Sequence, residues 1–130
     1  MVFWTVNLGL FSHHFTAYKF SVPSQAPSGF TVTASSSTSI TASWQMPPGY
    51  ARHGIITGFK LYYKKKDSEE TSVVLTISGP SFTRAVTNLA KYTEYEFQLL
   101  AFTSAGDGPK SLVVVKRTME DGKIKQSTVF

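Results

Sequence analysis

A chain of 130 residues with 42% hydrophobic and 16% charged residues has room for one packed domain and short tails, and that balance excludes a disordered chain. It contains no cysteine, so disulfides and reactive thiols drop out and any sandwich must hold by packing alone. The net charge of +5 suits an acidic partner only where the cations share a face. No apolar run approaches the roughly 18 residues that a membrane-spanning helix needs. Neither Asn7 nor Asn88 begins a glycosylation sequon, so the compartment stays open.

Residues 1–22 have their own texture. Phe3, Trp4, Phe11, Phe15, Tyr18 and Phe20 crowd there, and Lys19 is the only formal charge. A signal peptide wants a basic start and an unbroken apolar stretch, whereas Asn7 interrupts Val2–Phe11 and His13-His14 follow. The segment reads instead as an extension foreign to the domain.

From Pro23 the pattern turns to short β-type runs. Phe30–Ala34 alternates apolar and polar residues, and Ile40–Trp44 alternates again, with Ile40, Ala42 and Trp44 on one face. Pro47-Pro48-Gly49 then breaks the pattern, since proline cannot donate to a ladder. Gly58–Lys64 is a third strand, with Phe59, Leu61 and Tyr63 on one side, and Lys64–Glu70 is a charged turn. Val73–Ile77 and Phe82–Leu89 are the fourth and fifth strands, and Tyr95–Ala101 is the sixth, with the cleanest alternation. After the turn Ser104–Pro109, Leu112–Lys116 is the seventh. Its parity is mixed, which predicts a bulge or an edge position. Seven short strands at regular spacing predict an all-β, antiparallel sandwich or small barrel.

These residues resemble the fibronectin type III family from about Pro23 to Asp121. Pro23–Pro27 is similar to its proline-marked approach to the first strand, and Ile40–Trp44 followed by Pro47 to its second strand with the core tryptophan. Gly58–Tyr63 resembles its third strand, Leu89 with Thr93–Tyr95 its tyrosine corner, and Ala105–Pro109 its last hairpin. The resemblance implies a seven-stranded immunoglobulin-like β-sandwich, three strands packed on four, over residues 23–119, with a tail at 120–130. Trp44, Leu89, Tyr95, Ile40, Leu61 and Phe97 are the expected structural core. The hydroxyl of Tyr95 is placed to reach back to the loop backbone and pin the corner.

No catalytic pattern is present: the three histidines, His13, His14 and His53, stand in no metal-ligand spacing, and no glycine-rich phosphate loop precedes a helix. The expectation is no enzyme, no cofactor and no metal. The integrin-type tripeptide that some family members carry in the last hairpin is absent, because no arginine precedes Gly106-Asp107. Gly106 and Gly108 read as turn formers with positive φ.

Two surfaces are candidates for partner binding. On alternation, Lys60, Tyr62 and Lys64 share the outer face of the third strand, and in the family the sixth strand lies beside it with Leu100 and Phe102 outward. That face reads as a docking surface for an acidic protein or a sulfated glycan, or as a solvated strand whose lysines discourage edge pairing. Tyr50 and Arg52, with His53, stand in the loop after Trp44, and such residues suit contact hot spots. The family implies a protein-interaction and spacer module of a multidomain cell-surface adhesion, receptor or matrix protein, with neighbouring fibronectin type III or immunoglobulin-like modules. A structural module of an intracellular muscle-type scaffold and a heparin-like polyanion binder are the alternatives. Neither nucleic-acid binding nor membrane insertion by this segment is expected.

Overall fold

The computed structural model describes residues 21–121; the readings made for residues 1–20 and 122–130 lie outside them. Eight strands follow in chain order: β1 (Ser28–Ala34), β2 (Ile40–Gln45), β3 (Gly58–Lys65), β4 (Val73–Ser78), β5 (Thr83–Val86), β6 (Glu94–Thr103), β7 (Gly106–Asp107) and β8 (Val114–Arg117). A single turn of 3-10 helix, Gly49–Ala51, follows the proline pair. The strands form two antiparallel sheets. The smaller runs β1-β2-β5, and the larger runs β4-β3-β6, with β7 and β8 sharing the far edge of β6. Three strands therefore pack on four positions, as expected, the fourth being shared by β7, which lies inside the expected turn Ser104–Pro109, and β8, which covers only the latter part of the expected seventh strand.

The break in that strand explains its mixed parity. Phe102 pairs with Asp107 and Phe97 with Val114, so five steps along β6 face seven along its partner. Two extra residues are absorbed between them, as in a pair of bulges. Ser111 patches the gap: its N–H donates to Leu99 O at 2.8 Å, and its hydroxyl accepts from Leu99 N–H at 3.0 Å. A side chain thus stands in for a missing backbone acceptor. Leu112, read from sequence as the start of the strand, projects into solvent at 88% exposure, and regular pairing resumes only at Val114.

Between the sheets lie Ile40, Ala42 and Trp44 from β2, Phe59 and Leu61 from β3, Ile77, Val86, Leu89, and Tyr95, Phe97, Leu99 and Ala101 from β6. The period-two pattern of each strand places these side chains inward. Burying each large one stabilises the fold by about 1.5–3 kcal/mol. Trp44 meets Phe59 edge to face with ring centroids 5.4 Å apart. The Trp44 Nε1–H is buried with no hydrogen-bond acceptor among the described residues, which costs about 1–3 kcal/mol and is outweighed by the apolar area that the indole fills.

The two ends of β6 are anchored differently. At its start, the Tyr95 hydroxyl accepts from Ala90 N–H at 2.8 Å, and Leu89 N–H donates to Thr38 O at 2.9 Å. The buried Thr118 hydroxyl donates to Ala90 O at 2.7 Å and accepts from Thr93 N–H at 2.9 Å. At its far end, Thr103 Oγ1 donates to Ser21 O at 2.8 Å, Ser21 N–H to His53 O at 2.9 Å, and Ser24 N–H to Ala51 O at 2.8 Å. Ser21, assigned above to the extension, therefore already bonds to the sandwich. Gly106 has φ +142, a value that favours glycine. Gly108 departs from the sequence reading, because its φ is not positive. Close approach demands glycine there instead: an added Cβ would lie 2.9 Å from both the Cβ and the carbonyl oxygen of Pro23.

Candidate contact surface on the larger sheet

The outer face of the larger sheet brings together the residues expected on it. Lys60 pairs with Leu100, Tyr62 with Gln98, Lys64 with Glu96 and Gly58 with Phe102. Gly58 has no side chain, so the Phe102 ring folds over it; an added Cβ would lie 2.7 Å from the ring.

Leu100 corrects the sequence reading. It points outward, yet is only 3% exposed and presents nothing for a partner to grip. Long side chains from either side, Lys60 on β3 and Lys110 in the stretch after β7, reach across β6 beside it. Lys60 extends from β3 to Asp107 on β7, with Nζ 3.0 Å from the carboxylate and 5.6 Å from the Phe102 ring centroid. Lys110 extends the other way, its Nζ 4.1 Å from the centre of the Tyr62 ring. Their alkyl stems cover apolar surface while the charged ends find partners. Alternation along a strand says which face a residue takes, but not which side chains from elsewhere lie over it.

The same contacts temper the basic character of the face. Lys60 is paired with Asp107, Lys66 meets Asp67 at 3.4 Å, and Arg117 meets Glu94 at 3.4 Å. Lys64 Nζ donates to Ser68 O at 2.8 Å, closing its own turn. What remains is a mixed surface of Tyr62, Lys110, Phe102 and the paired lysines, able to offer cation–π, apolar and hydrogen-bonding contacts. Lys110 was missed from sequence because it sits in the irregular stretch after Pro109, where no period assigns a face.

The second candidate surface lies at the far end of β6. Tyr50 is 76% exposed, and Gln25 Nε2 donates to its hydroxyl at 3.4 Å. Arg52 is half-buried, its Nε donating to Pro47 O at 2.8 Å, so it braces the loop from inside. Ile55, exposed nearby in sequence, was not singled out. Tyr50 and Arg52 therefore stand together in the chain with different tasks. Among the described residues no three His, Asp or Glu side chains converge to hold a metal ion, and no helix is long and apolar enough to cross a membrane.

Comparison with known proteins agrees with this architecture. Residues 25–117 match the family model of the fibronectin type III domain. The chain is 39% identical over 103 residues to mouse protein sidekick-2, covering 78% of this chain and 5% of that protein. It is 40% identical over 120 residues to chicken protein sidekick-1, covering 88% of this chain and 6% of that protein. Drosophila tyrosine-protein phosphatase Lar is 36% identical over 103 residues, 77% of this chain and 5% of that protein. The chain thus spans about a twentieth of the length of these relatives. Among solved structures, the FN5 domain of Drosophila Lar superposes with a TM-score of 0.61 at 28% identity, covering 75% of this chain and 98% of that one. The FN1–FN3 domains of chicken CNTN1 give 0.67 at 25% identity, covering 76% of this chain and 33% of that one. With residues 25–117 matched by that family model and the sandwich shared with these solved domains, the chain belongs to the fibronectin type III family.

Proposed function

We propose that this chain is a non-catalytic contact and spacer module of a multidomain cell-surface receptor or adhesion protein, and that it works outside the cell. One observation carries the reading. A complete sandwich, anchored at both ends of β6, aligns with only about a twentieth of sidekick-2 or Lar, as one unit in a long chain does. The anchors support a spacer. The chain enters through Ser21–Ser24 at one pole and leaves through Thr118–Asp121 at the other, where Met119 N–H donates to Ser36 O at 3.1 Å and Lys91 meets Asp121 at 2.9 Å. Ends fixed at opposite poles transmit the position of one module to the next. The contacting surface is the outer face around Tyr62, Lys110 and Phe102, with Lys60 and Lys64 as its polar support and Tyr50 as a separate anchor at the N-terminal pole. The partner is a protein.

Labelling of the tagged full-length protein on intact cells tests the reading. Surface labelling is the expected result; cytoskeletal staining overturns it in favour of a module in an intracellular scaffold. A polyanion role is disfavoured by the pairing of Lys60, Lys66 and Arg117 with carboxylates. Elution from heparin at low salt, unchanged when Lys60 and Lys64–Lys66 become glutamate, is the expected outcome.

A further inference from the structure

The larger sheet ends in two unlike edges. β4 forms one edge and β8 the lower half of the other. The run Val73–Ser78 contains neither charge nor proline, the usual devices that keep an edge from pairing. Val73 and Val74 on this edge are exposed, as are Leu112, Val113 and Val115 on the opposite one. The charges nearest the two strands differ in sign: Glu69 and Glu70 stand just before β4, beyond a turn in which Lys66 meets Asp67 and Lys64 bonds to Ser68 O, whereas Lys116 and Arg117 close β8.

We propose that copies of this chain join edge to edge, β4 of one molecule pairing antiparallel with β8 of the next, so that the larger sheet continues from molecule to molecule. Strand direction, level and backbone polarity all permit this. Directions alternate from β4 through β3 and β6 to β8, so β4 and β8 run oppositely and a simple translation sets them antiparallel. Level follows from register. Val73 faces Tyr63, Tyr63 faces Phe97, and Phe97 faces Val114. Counting along from that row puts Val74 level with Val113; the segment that leads into β4 then brings Ser72 towards Val115 and Glu70, in a bend, towards Arg117.

Backbone polarity selects the same pairs. Gly79 N–H bonds to Thr57 O, so alternation turns the backbone groups of Ser72, Val74 and Thr76 away from β3. Thr118 N–H bonds to Thr93 O, which turns those of Val113, Val115 and Arg117 away from β6. Among the described residues the translated edges thus present unpaired groups to unpaired groups and valine to valine, and they bring Glu70 towards Arg117, whose guanidinium also meets Glu94 at 3.4 Å. Pairing β8 with β8 brings no carboxylate to Lys116, and pairing β4 with β4 brings no cation to Glu69 and Glu70. Charge therefore selects the heterologous contact, which does not close on itself and extends as an open row.

Sedimentation velocity of the full chain, from about 10 µM to about 1 mM, tests the proposal with Val74→Pro and Val115→Pro. Each removes an N–H that faces away from the sandwich, and circular dichroism checks that each variant folds. The wild type is expected to grow in mass with concentration, and less so at high salt. Each proline variant alone stays monomeric, because one edge is blocked. Their equimolar mixture forms a one-to-one dimer and stops. A wild type that is monomeric throughout overturns the proposal. So does association of either variant alone, which would place the contact in a like-with-like edge or in residues 1–20. Glu70→Arg is expected to weaken association and Arg117→Glu in the same chain to restore it; no restoration overturns the register.

Discussion

Leu99 and Leu100 are neighbours on β6, both are buried, and they are buried by different things. Leu99 faces the opposing sheet, in one apolar cluster with its Ile40 and Trp44. Leu100, on the other face, has no second sheet above it among the described residues; the side chains of Lys60 and Lys110 reach across its strand to Asp107 and Tyr62. Equal exposure hides unequal rigidity. A sheet cannot follow a shrinking side chain inward, whereas a lysine stem can re-seat at little cost.

The sharpest way to break this comparison is to truncate both leucines. Leu99→Ala leaves a cavity that the sandwich cannot close, at about 2–5 kcal/mol. Leu100→Ala forfeits mainly the transfer of the removed atoms, about 1.5–3 kcal/mol at most, because the lysine stems settle into the gap. Urea denaturation of both variants reads the difference, and equal losses would show that the outer cover is as stiff as a sheet. Trp44→Ala belongs with Leu99, at about 3–5 kcal/mol.

The two ends of β6 extend the contrast to hydrogen bonds. Thr118→Val keeps the shape and removes a buried hydroxyl that serves Ala90 O and Thr93 N–H, leaving both short of a partner at about 1–3 kcal/mol. Gly108→Ala drives a methyl into the Pro23 carbonyl and is expected to cost about 1–3 kcal/mol. Its signature is local: amide exchange should quicken at Ser21 and Ser24, whose N–H groups bond to the loop at His53 and Ala51, while Leu89 and Ala90 stay protected. Uniform quickening would mean that the two poles unfold as one.

What could be read from the sequence divides along the same line. The inner face was legible because alternation and burial are two readings of one geometry, so Ile40, Trp44, Leu61 and Phe97 follow from period two alone. The Tyr95 bond to the corner backbone was legible because the residue stands at a strand start beside a turn. Leu100 was not, since its cover comes from Lys60 and Lys110 on other segments. Thr118 and Ser111 were not either: a lone hydroxyl carries no pattern, and each matters only because of the backbone groups it serves nearby. Lys60, Tyr62 and Phe102 do lie on one face as read, but the charge that recommended it is partly spent on Asp107.

The smallest expected effect decides how that outer cover works. Lys110→Ala removes a cation over Tyr62 at an exposed site, worth about 0.5–1 kcal/mol, and Asp107→Asn removes an exposed ion pair worth about 0–1 kcal/mol. If both lysines act as covers for Leu100, Lys110→Ala should cost more than Asp107→Asn. The first loses an alkyl stem, while the second leaves the Lys60 stem in place and frees only its charge. Salt separates the two further. The Asp107→Asn loss should fade as ionic strength rises beyond about 0.1 M, because the pair it removes is screened in the parent as well. The stem's share of the Lys110→Ala loss should persist, and Lys110→Met, which keeps the stem without the charge, should recover most of it. Recovery by methionine would identify apolar cover as the main contribution; failure to recover would assign it to the cation over the Tyr62 ring.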